Sequence, residues 1–231
     1  GIRQIADVER ELAEVGRRLE QQHRILEECK KHQNTYRLIP EYVGLRDEIN
    51  REFEKKKIPA RAQFACEYVI GLKDEAWRDA LEAFLGARRY TILVDPKYYD
   101  LADDVLNRSE HRYAHLFNTK LLMRRKVTVE KDSAVGLLEI KNPVARKYFE
   151  FQLGRMHAVS LREVREYENA ISVEGRVSVA MDSYFLRFDR IRVYYLGKKT
   201  FELNRKRAEQ EIARLNEEKK DFLAQKKELE E

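Results

Sequence analysis

The stretch IADVERELAEVGRRLEQQHRILEEC, residues 5–29, decides the fold. Its apolar side chains recur at alternating steps of three and four residues, which is the 3.5-residue period of a coiled-coil seam. The predicted seam positions are Ile5, Val8, Leu12, Val15, Leu19, Gln22, Leu26 and Cys29. At a rise of about 1.5 Å per residue, a helical arm over residues 3–36 would be about 50 Å long.

A weaker form of the same period ends the chain, from residue 201 to residue 231. Its predicted apolar seam residues are Ile212, Leu215, Phe222 and Leu229. Two heptad-patterned arms on either side of a globular middle are typical of a hairpin. We therefore predict an antiparallel two-helix coiled coil capped by a mixed domain of sheet and helix, of the α+β class.

Two registers of the arms are open, because Pro40 interrupts the first helix and a second helix follows over residues 41–56. The favoured register sets Tyr36 opposite Phe201 and folds residues 40–57 against the domain. The other register sets Lys57 opposite Phe201. The predicted boundaries are an arm over 1–39, a helix next to the domain over 40–57, the domain over 58–200 and an arm over 201–231.

Strand and helix signals alternate through the middle of the chain. Capping residues and helix-ending glycines predict helices over residues 75–85, 97–106, 143–153 and 160–167. Runs rich in β-formers predict strands over residues 64–70, 90–94, 171–173, 177–180, 184–188 and 191–196, with more within 121–140.

The net charge of +5 lies in the middle of the chain. Residues 58–200 hold 25 Lys and Arg against 20 Asp and Glu, and the two flanks balance. The two cysteines form no CxxC pair, which favours a reducing compartment. No apolar run is long enough for a membrane span and no signal peptide is present. Because the chain begins with Gly1 in mid-pattern, we expect a fragment of a longer protein.

Three basic clusters with tyrosines among them are candidates for contact with double-stranded DNA. They are Arg88 and Arg89, then Arg124, Arg125 and Lys126, then Arg146 and Lys147. Lys and Arg contacts to phosphate would give salt-dependent, sequence-independent binding. An ordinary solvated surface is the alternative, since the same region carries 20 acidic residues.

Five aromatic residues lie on the last two predicted strands: Tyr184, Phe185, Phe188, Tyr194 and Tyr195. They can belong to the core of the domain. They can also form a sheet edge or aromatic patch that pairs with a second copy of the chain. Both interpretations are open from the sequence.

No catalytic, metal or cofactor motif stands out. The run Gly197-Lys198-Lys199-Thr200 departs from a phosphate-binding loop, because Arg192 stands where that loop needs its first glycine. His111 and His115 have the i, i+4 spacing of metal ligands but no third ligand nearby, so surface or interface histidines are favoured. We expect no enzyme activity and no cofactor in these residues.

Two blocks of the middle resemble the hinge domain of SMC proteins. The first is KDEAWRDALEAFLG at residues 73–86 followed by YTILVD at 90–95, and the second is NPVARKYFEFQLG at 142–154. The second block is similar to hinges of the MukB-like branch. The chain departs from chromosomal SMC hinges in lacking their cluster of glycines near the dimer contact, so interface residues cannot be carried over.

The resemblance implies a hinge that forms homodimers and joins two coiled-coil arms of a DNA-embracing ATPase, whose ATPase heads lie outside these residues. It implies a Wadjet-type anti-plasmid complex in the cytoplasm, associated with the nucleoid, with kleisin, accessory and nuclease subunits on other parts of the parent protein. The alternative is the hinge of a MukB- or MksB-type chromosome-partitioning condensin. A coiled-coil protein with an inserted ligand-binding or catalytic domain is an alternative from another class.

Overall fold

The structure is a computed structural model that describes every residue from Gly1 to Glu231. The chain forms two compact units. One consists of Gly1–Thr35 with Thr200–Glu231, and the other of Tyr36–Lys199.

The first unit is a pair of long antiparallel helices, α1 (Ile2–Lys30) and α7 (Thr200–Glu230). Ion pairs fix their direction, because Glu9 near the start of α1 meets Lys226 near the end of α7 at 2.8 Å. Further along, Arg18 meets Glu211 at 3.2 Å. The pairing confirms the predicted fold class, an antiparallel two-helix coiled coil together with an α+β unit.

A small apolar core holds the two helices together. Val15, Leu19 and Leu215 are buried in it, and Ile212 and Phe222 pack against it. Towards the end of α1 the structure buries Ile25 and leaves the predicted seam residue Leu26 half-buried. On α7 it buries Asn204, Ala208 and Leu215. Because Ile25 is buried next to the predicted seam, the apolar face of α1 near its end is wider than the two positions of a coiled-coil seam.

Helix α1 ends at Lys30, six residues before the predicted end of the arm at Tyr36. The helix ends there because His32, the residue after the C-cap, adopts the left-handed conformation with φ +53°. The N–H of His32 donates to the carbonyl of Cys29 at 3.0 Å, and the N–H of Gln33 donates to that of Glu28 at 2.9 Å. The predicted register is therefore wrong by about one turn: the ring of His32, four residues before the expected partner Tyr36, lies 5.9 Å from that of Phe201.

The second unit, Tyr36–Lys199, holds five α-helices and several short 3₁₀ turns. They are α2 (Pro40–Lys55), α3 (Arg78–Leu85), α4 (Tyr99–Arg108), α5 (Thr119–Arg124) and α6 (Pro143–Leu153). Pro40 occupies the first position of α2, where its missing N–H costs nothing. The side chain of Asn142 accepts the N–H groups of Val144 and Ala145 and caps α6.

Eight short strands form three separate sheets. The strands are β1 (Gln63–Phe64), β2 (Val69–Leu72), β3 (Ile92–Leu93), β4 (Leu138–Ile140), β5 (His157–Ala158), β6 (Ala170–Ile171), β7 (Arg176–Val179) and β8 (Asp182–Phe185). β1 pairs with β3 and β2 with β4, both antiparallel. The third sheet has the order β5-β6-β7-β8, with β5 and β6 parallel and the other pairs antiparallel.

Aromatic and aliphatic side chains from these elements fill one core. Its largest fully buried members include Phe53, Phe64, Leu81, Leu85, Ile92, Leu93, Leu138, Tyr148, Phe149 and Leu153. No helix of the chain combines the length and the apolarity needed to cross a lipid bilayer.

Three predicted elements are absent. Residues 191–196 form no strand, because side chains of α3, described below, occupy several of their backbone groups. Residues 126–130, within the stretch 121–140, form no strand. The predicted helix over 160–167 is reduced to a single 3₁₀ turn, Glu163–Glu166, although Ser160 and Glu163 form the expected capping contacts.

Candidate interaction surfaces

An exposed sheet edge is the first candidate surface. Strand β8 pairs with β7 on one side only, and all four of its residues are exposed. Tyr184 is 46% exposed and Phe185 is 55% exposed, and the guanidinium of Arg176 lies 5.4 Å from the Phe185 ring. Unpaired N–H and C=O groups on such an edge can accept a further strand.

The turn before β8 is unusual in composition. Ala180 and Met181 connect β7 to β8 with φ values of +49° and +72°. Positive φ at both central residues is the pattern of a type I′ turn, which matches the twist of a two-residue hairpin and usually uses Asn and Gly. Met181 is also 73% exposed, so the turn adds an apolar side chain to the tip of the hairpin.

The other three aromatic candidates lie away from this edge. Phe188 is half-buried, with its ring beneath the backbone of Gly175. The hydroxyl of Tyr194 donates to Asp79, and Tyr195 is only 6% exposed. Burial raises the pKa of the Tyr195 hydroxyl. Tyr195 therefore belongs to the core, which corrects its assignment to an interface.

A buried charge cluster lies on α3, and sequence reasoning did not find it. The carboxylate of Glu82 is fully buried and meets Arg78 at 3.2 Å and Arg89 at 2.8 Å. It also accepts the backbone N–H groups of Tyr195 and Leu196. The two guanidinium groups donate hydrogen bonds to backbone carbonyls of the segment 193–196. Arg78 donates to Leu196 and Arg89 donates to Val193.

The first basic cluster is thus internal and not a surface. Arg89 serves the charge cluster, and its side chain is 11% exposed. Arg88 donates to the carbonyl oxygens of Phe84 and Leu85 and to the side chain of Gln152. Arg89 is nearly buried and Arg88 is half-buried and held against the domain by these hydrogen bonds, so the two residues do not form the exposed basic cluster predicted for contact with duplex DNA.

The second and third basic clusters differ from each other. Arg124, Arg125 and Lys126 are exposed, and the guanidinium of Arg125 lies 5.3 Å from the Phe151 ring. These three residues are called the basic triplet below. In the third cluster Arg146 pairs with Glu150 at 3.1 Å, and Lys147 donates to the carbonyl of Met123 at 3.1 Å.

The two spaced histidines do not form a metal site. They lie in the segment between α4 and α5, not on a helix. The ring of His111 packs on Gly44, with Nδ1 3.3 Å from Glu41 and Nε2 3.6 Å from Glu48. The ring of His115 lies beside Tyr42 instead. Nowhere in the chain do three His, Cys, Asp or Glu side chains form a group that could hold a metal ion.

The geometry defines an α+β domain whose chain enters and leaves through two paired helices. Solved structures similar to the chain include SMC hinge domains. The Smc hinge domain of Pyrococcus furiosus with an extended coiled coil is 19% identical, with 98% of this chain and 83% of that chain covered and a TM-score of 0.47. The SMC hinge domain of Geobacillus stearothermophilus, solved as an asymmetric dimer, is 16% identical, with 98% and 99% covered and a TM-score of 0.46.

A third similar structure is described as the folded elbow of cohesin. It is 13% identical, with 97% of this chain and 35% of that chain covered, and its TM-score is 0.53. At that identity the likeness shows a shared fold and nothing further. No protein-family model and no curated protein sequence matches the chain.

Proposed function

We propose that this chain is the hinge of an SMC-like protein, which joins two copies of that protein at the ends of their arms. The observation that carries the proposal is the antiparallel pairing of α1 and α7, in which Glu9 meets Lys226 and Arg18 meets Glu211. A short loop is enough to reverse a pair of antiparallel helices, so the folded unit Tyr36–Lys199 between α1 and α7 is expected to have a role of its own. The two sequence blocks at 73–95 and 142–154 support the same family. In this proposal residues 58–200 are the hinge domain, with arms over 1–39 and 201–231 and a hinge-proximal helix over 40–57.

The exposed edge of β8 is the surface that we propose for the second copy. Tyr184 and Phe185 offer apolar area there, and the unpaired backbone of β8 offers hydrogen bonds. Burial of apolar area contributes about 25 cal/mol per Å² before the costs of association are subtracted. A contact of this kind can keep two copies of the protein joined when force is applied along their coiled-coil arms.

Sedimentation equilibrium of the chain tests this proposal. We expect a dimer at tens of micromolar and a monomer for the Phe185→Glu variant, because a carboxylate at the centre of the contact would have to be desolvated. The matched control is Tyr113→Glu, which alters an aromatic residue that is 81% exposed and lies outside β8. A wild-type chain that remains monomeric would refute the hinge proposal, and a dimer unaffected by Phe185→Glu would refute the β8 contact.

Within the SMC class we propose membership of a Wadjet-type anti-plasmid complex, as the subunit JetC. The support is the resemblance of residues 142–154 to the MukB-like branch. The parent protein would then be an ATPase through heads outside this chain, would act on DNA at the nucleoid, and would use its other parts to contact kleisin, accessory and nuclease subunits. The alternative is a chromosome-partitioning condensin of the MukB or MksB type.

The two roles differ in their phenotypes. Cells that carry the full-length parent protein and its partner subunits should resist transformation by a closed-circular plasmid, and Phe185→Glu should abolish that resistance. If the variant instead leaves plasmid uptake unchanged and produces cells without a nucleoid, the condensin role is correct. The Tyr113→Glu variant serves as the control in both assays.

A further inference from the structure

Arg88 differs from the neighbouring buried arginines in having no carboxylate partner. Arg78 and Arg89 both reach Glu82, whereas the guanidinium of Arg88 donates only to uncharged oxygens. Its acceptors are the carbonyls of Phe84 at 2.5 Å and Leu85 at 3.3 Å and Oε1 of Gln152 at 3.0 Å. No Asp or Glu lies within ion-pair distance of Arg88.

The charge of Arg88 is therefore only partly compensated. Burial lowers the pKa of its guanidinium, and no carboxylate offsets that effect. A half-buried charge without an opposite charge is costly, and an anion brought to it recovers part of that cost. A guanidinium has five N–H donors, of which the three hydrogen bonds use three, so two remain for a ligand.

Arg88 also lines a pocket of about 380 Å³. The walls are mainly apolar and include Leu106, Leu116, Phe117 and the ring of Tyr148, with Gln152 beside Arg88. An apolar cleft of a few hundred Å³ with a small number of polar groups is the usual form of a small-molecule site. No carboxylate lines this pocket, so nothing inside it competes for the guanidinium.

We propose that this pocket binds an organic carboxylate that carries an aromatic or branched aliphatic group. The carboxylate accepts the two remaining donors of Arg88, and the apolar group packs against Phe117 and Leu116. Such a carboxylate can belong to a free small acid or to the C-terminal residue of a peptide. Binding of this kind goes beyond the hinge role and does not depend on it.

The test compares 3-phenylpropionate with 3-phenylpropionamide, which has the same shape and no charge. Each is titrated into the ¹⁵N-labelled chain and followed by amide chemical shifts. We expect shifts at Leu116, Phe117 and Gln152 for the acid, and at least tenfold weaker binding for the amide. A peptide that ends in phenylalanine, with a free or an amidated C-terminus, separates the two sources of carboxylate. If the free peptide binds more tightly than 3-phenylpropionate and the amidated peptide does not, the carboxylate belongs to a peptide C-terminus. If the free peptide binds more weakly, it belongs to a small acid.

The variant Arg88→Gln should bind the acid at least tenfold more weakly and leave binding of the amide unchanged. Its matched control is Arg125→Gln, which removes an exposed guanidinium outside the pocket. If Arg88→Gln fails to fold, the comparison of acid and amide on the wild-type chain still decides. Three results would overturn the proposal: equal binding of 3-phenylpropionate and its amide, chemical-shift changes outside the pocket, or no binding of 3-phenylpropionate or of the free peptide at millimolar concentration.

Discussion

The carboxylate of Glu82 accepts the backbone N–H of Tyr195 through both of its oxygens, at 2.9 and 3.0 Å. The two residues are 113 positions apart in the chain. This side chain therefore does for the N–H groups of Tyr195 and Leu196 what a neighbouring strand does elsewhere, since it supplies their hydrogen-bond acceptors. The segment that leads into α7 is consequently fixed by charge and hydrogen bonds and not by a sheet.

Replacement of Glu82 by glutamine should be among the most destabilising conservative changes in the chain. The variant leaves Arg89 buried without its counter-ion and leaves Arg78 with Glu75 as its one carboxylate partner. Loss of one partner of a buried pair costs about 3–5 kcal/mol. Urea-induced unfolding followed by the fluorescence of Trp77, the single tryptophan, measures this cost. Glu139→Gln, at an exposed position of β4, is the control and should change the unfolding free energy by less than about 0.5 kcal/mol. A loss below about 1 kcal/mol for Glu82→Gln would contradict this account of the cluster.

Stability should decrease in acid in part through Glu75. A hydrogen bond from Arg78 holds the pKa of the Glu75 carboxyl below its ordinary value. A carboxyl whose pKa is lower in the folded state stabilises the fold above its unfolded pKa, and this contribution is lost as the pH falls through the folded pKa. Below about pH 5 the unfolding free energy of Glu75→Gln should therefore decrease less steeply than that of the wild type. Parallel pH profiles for the two proteins would show that this pair contributes nothing.

The core of the arms should depend on Leu215. This side chain is fully buried between Val15 and Leu19, so Leu215→Ala should cost about 2–5 kcal/mol. Loss of helical signal on heating, measured by far-ultraviolet circular dichroism, should begin at a lower temperature in this variant. Leu223→Ala removes a side chain of the same helix that is 49% exposed, and we expect little change. Equal effects of the two substitutions would mean that α1 and α7 are not held together by this core.

Contact of this chain with double-stranded DNA should depend on the basic triplet. Each phosphate contact contributes about 0.9 to the slope of log affinity against log salt concentration, so replacing Arg124, Arg125 and Lys126 by glutamine should lower that slope by about 3. Fluorescence anisotropy of a labelled duplex at several salt concentrations measures the slope. Arg187→Gln is the control, because that exposed guanidinium is already paired with Asp189. Affinity that does not vary with salt would refute phosphate contact by this chain.

The features that the sequence predicted well are local or periodic. Heptad spacing was enough for the antiparallel arms, and the caps at Asp74 and Asn142 placed the starts of two helical segments to within a residue. Helix caps and heptad spacing involve residues within one helical turn or one heptad, and over that distance the spacing in sequence determines which side chains meet.

The features that it missed depend on distant partners or on uncommon residues. The residues 191–196 have strand propensity, but Glu82 takes their N–H groups, and this contact is invisible to a local pattern. His32 and Ala180 adopt positive φ without being glycine, so neither the stop of α1 nor the turn before β8 has its usual signature. Arg88 and Arg89 look like a surface cluster because adjacent charges usually lie in solvent.

Each of the two cysteines lies in a different unit of the chain, Cys29 in the paired helices and Cys66 in the α+β domain. Both thiols are almost completely covered, and burial raises the pKa of each. Alkylating reagents can therefore modify them only during transient opening of the surrounding structure. The chain thus carries two native probes with which the opening rates of arm and domain can be recorded separately in a single labelling experiment.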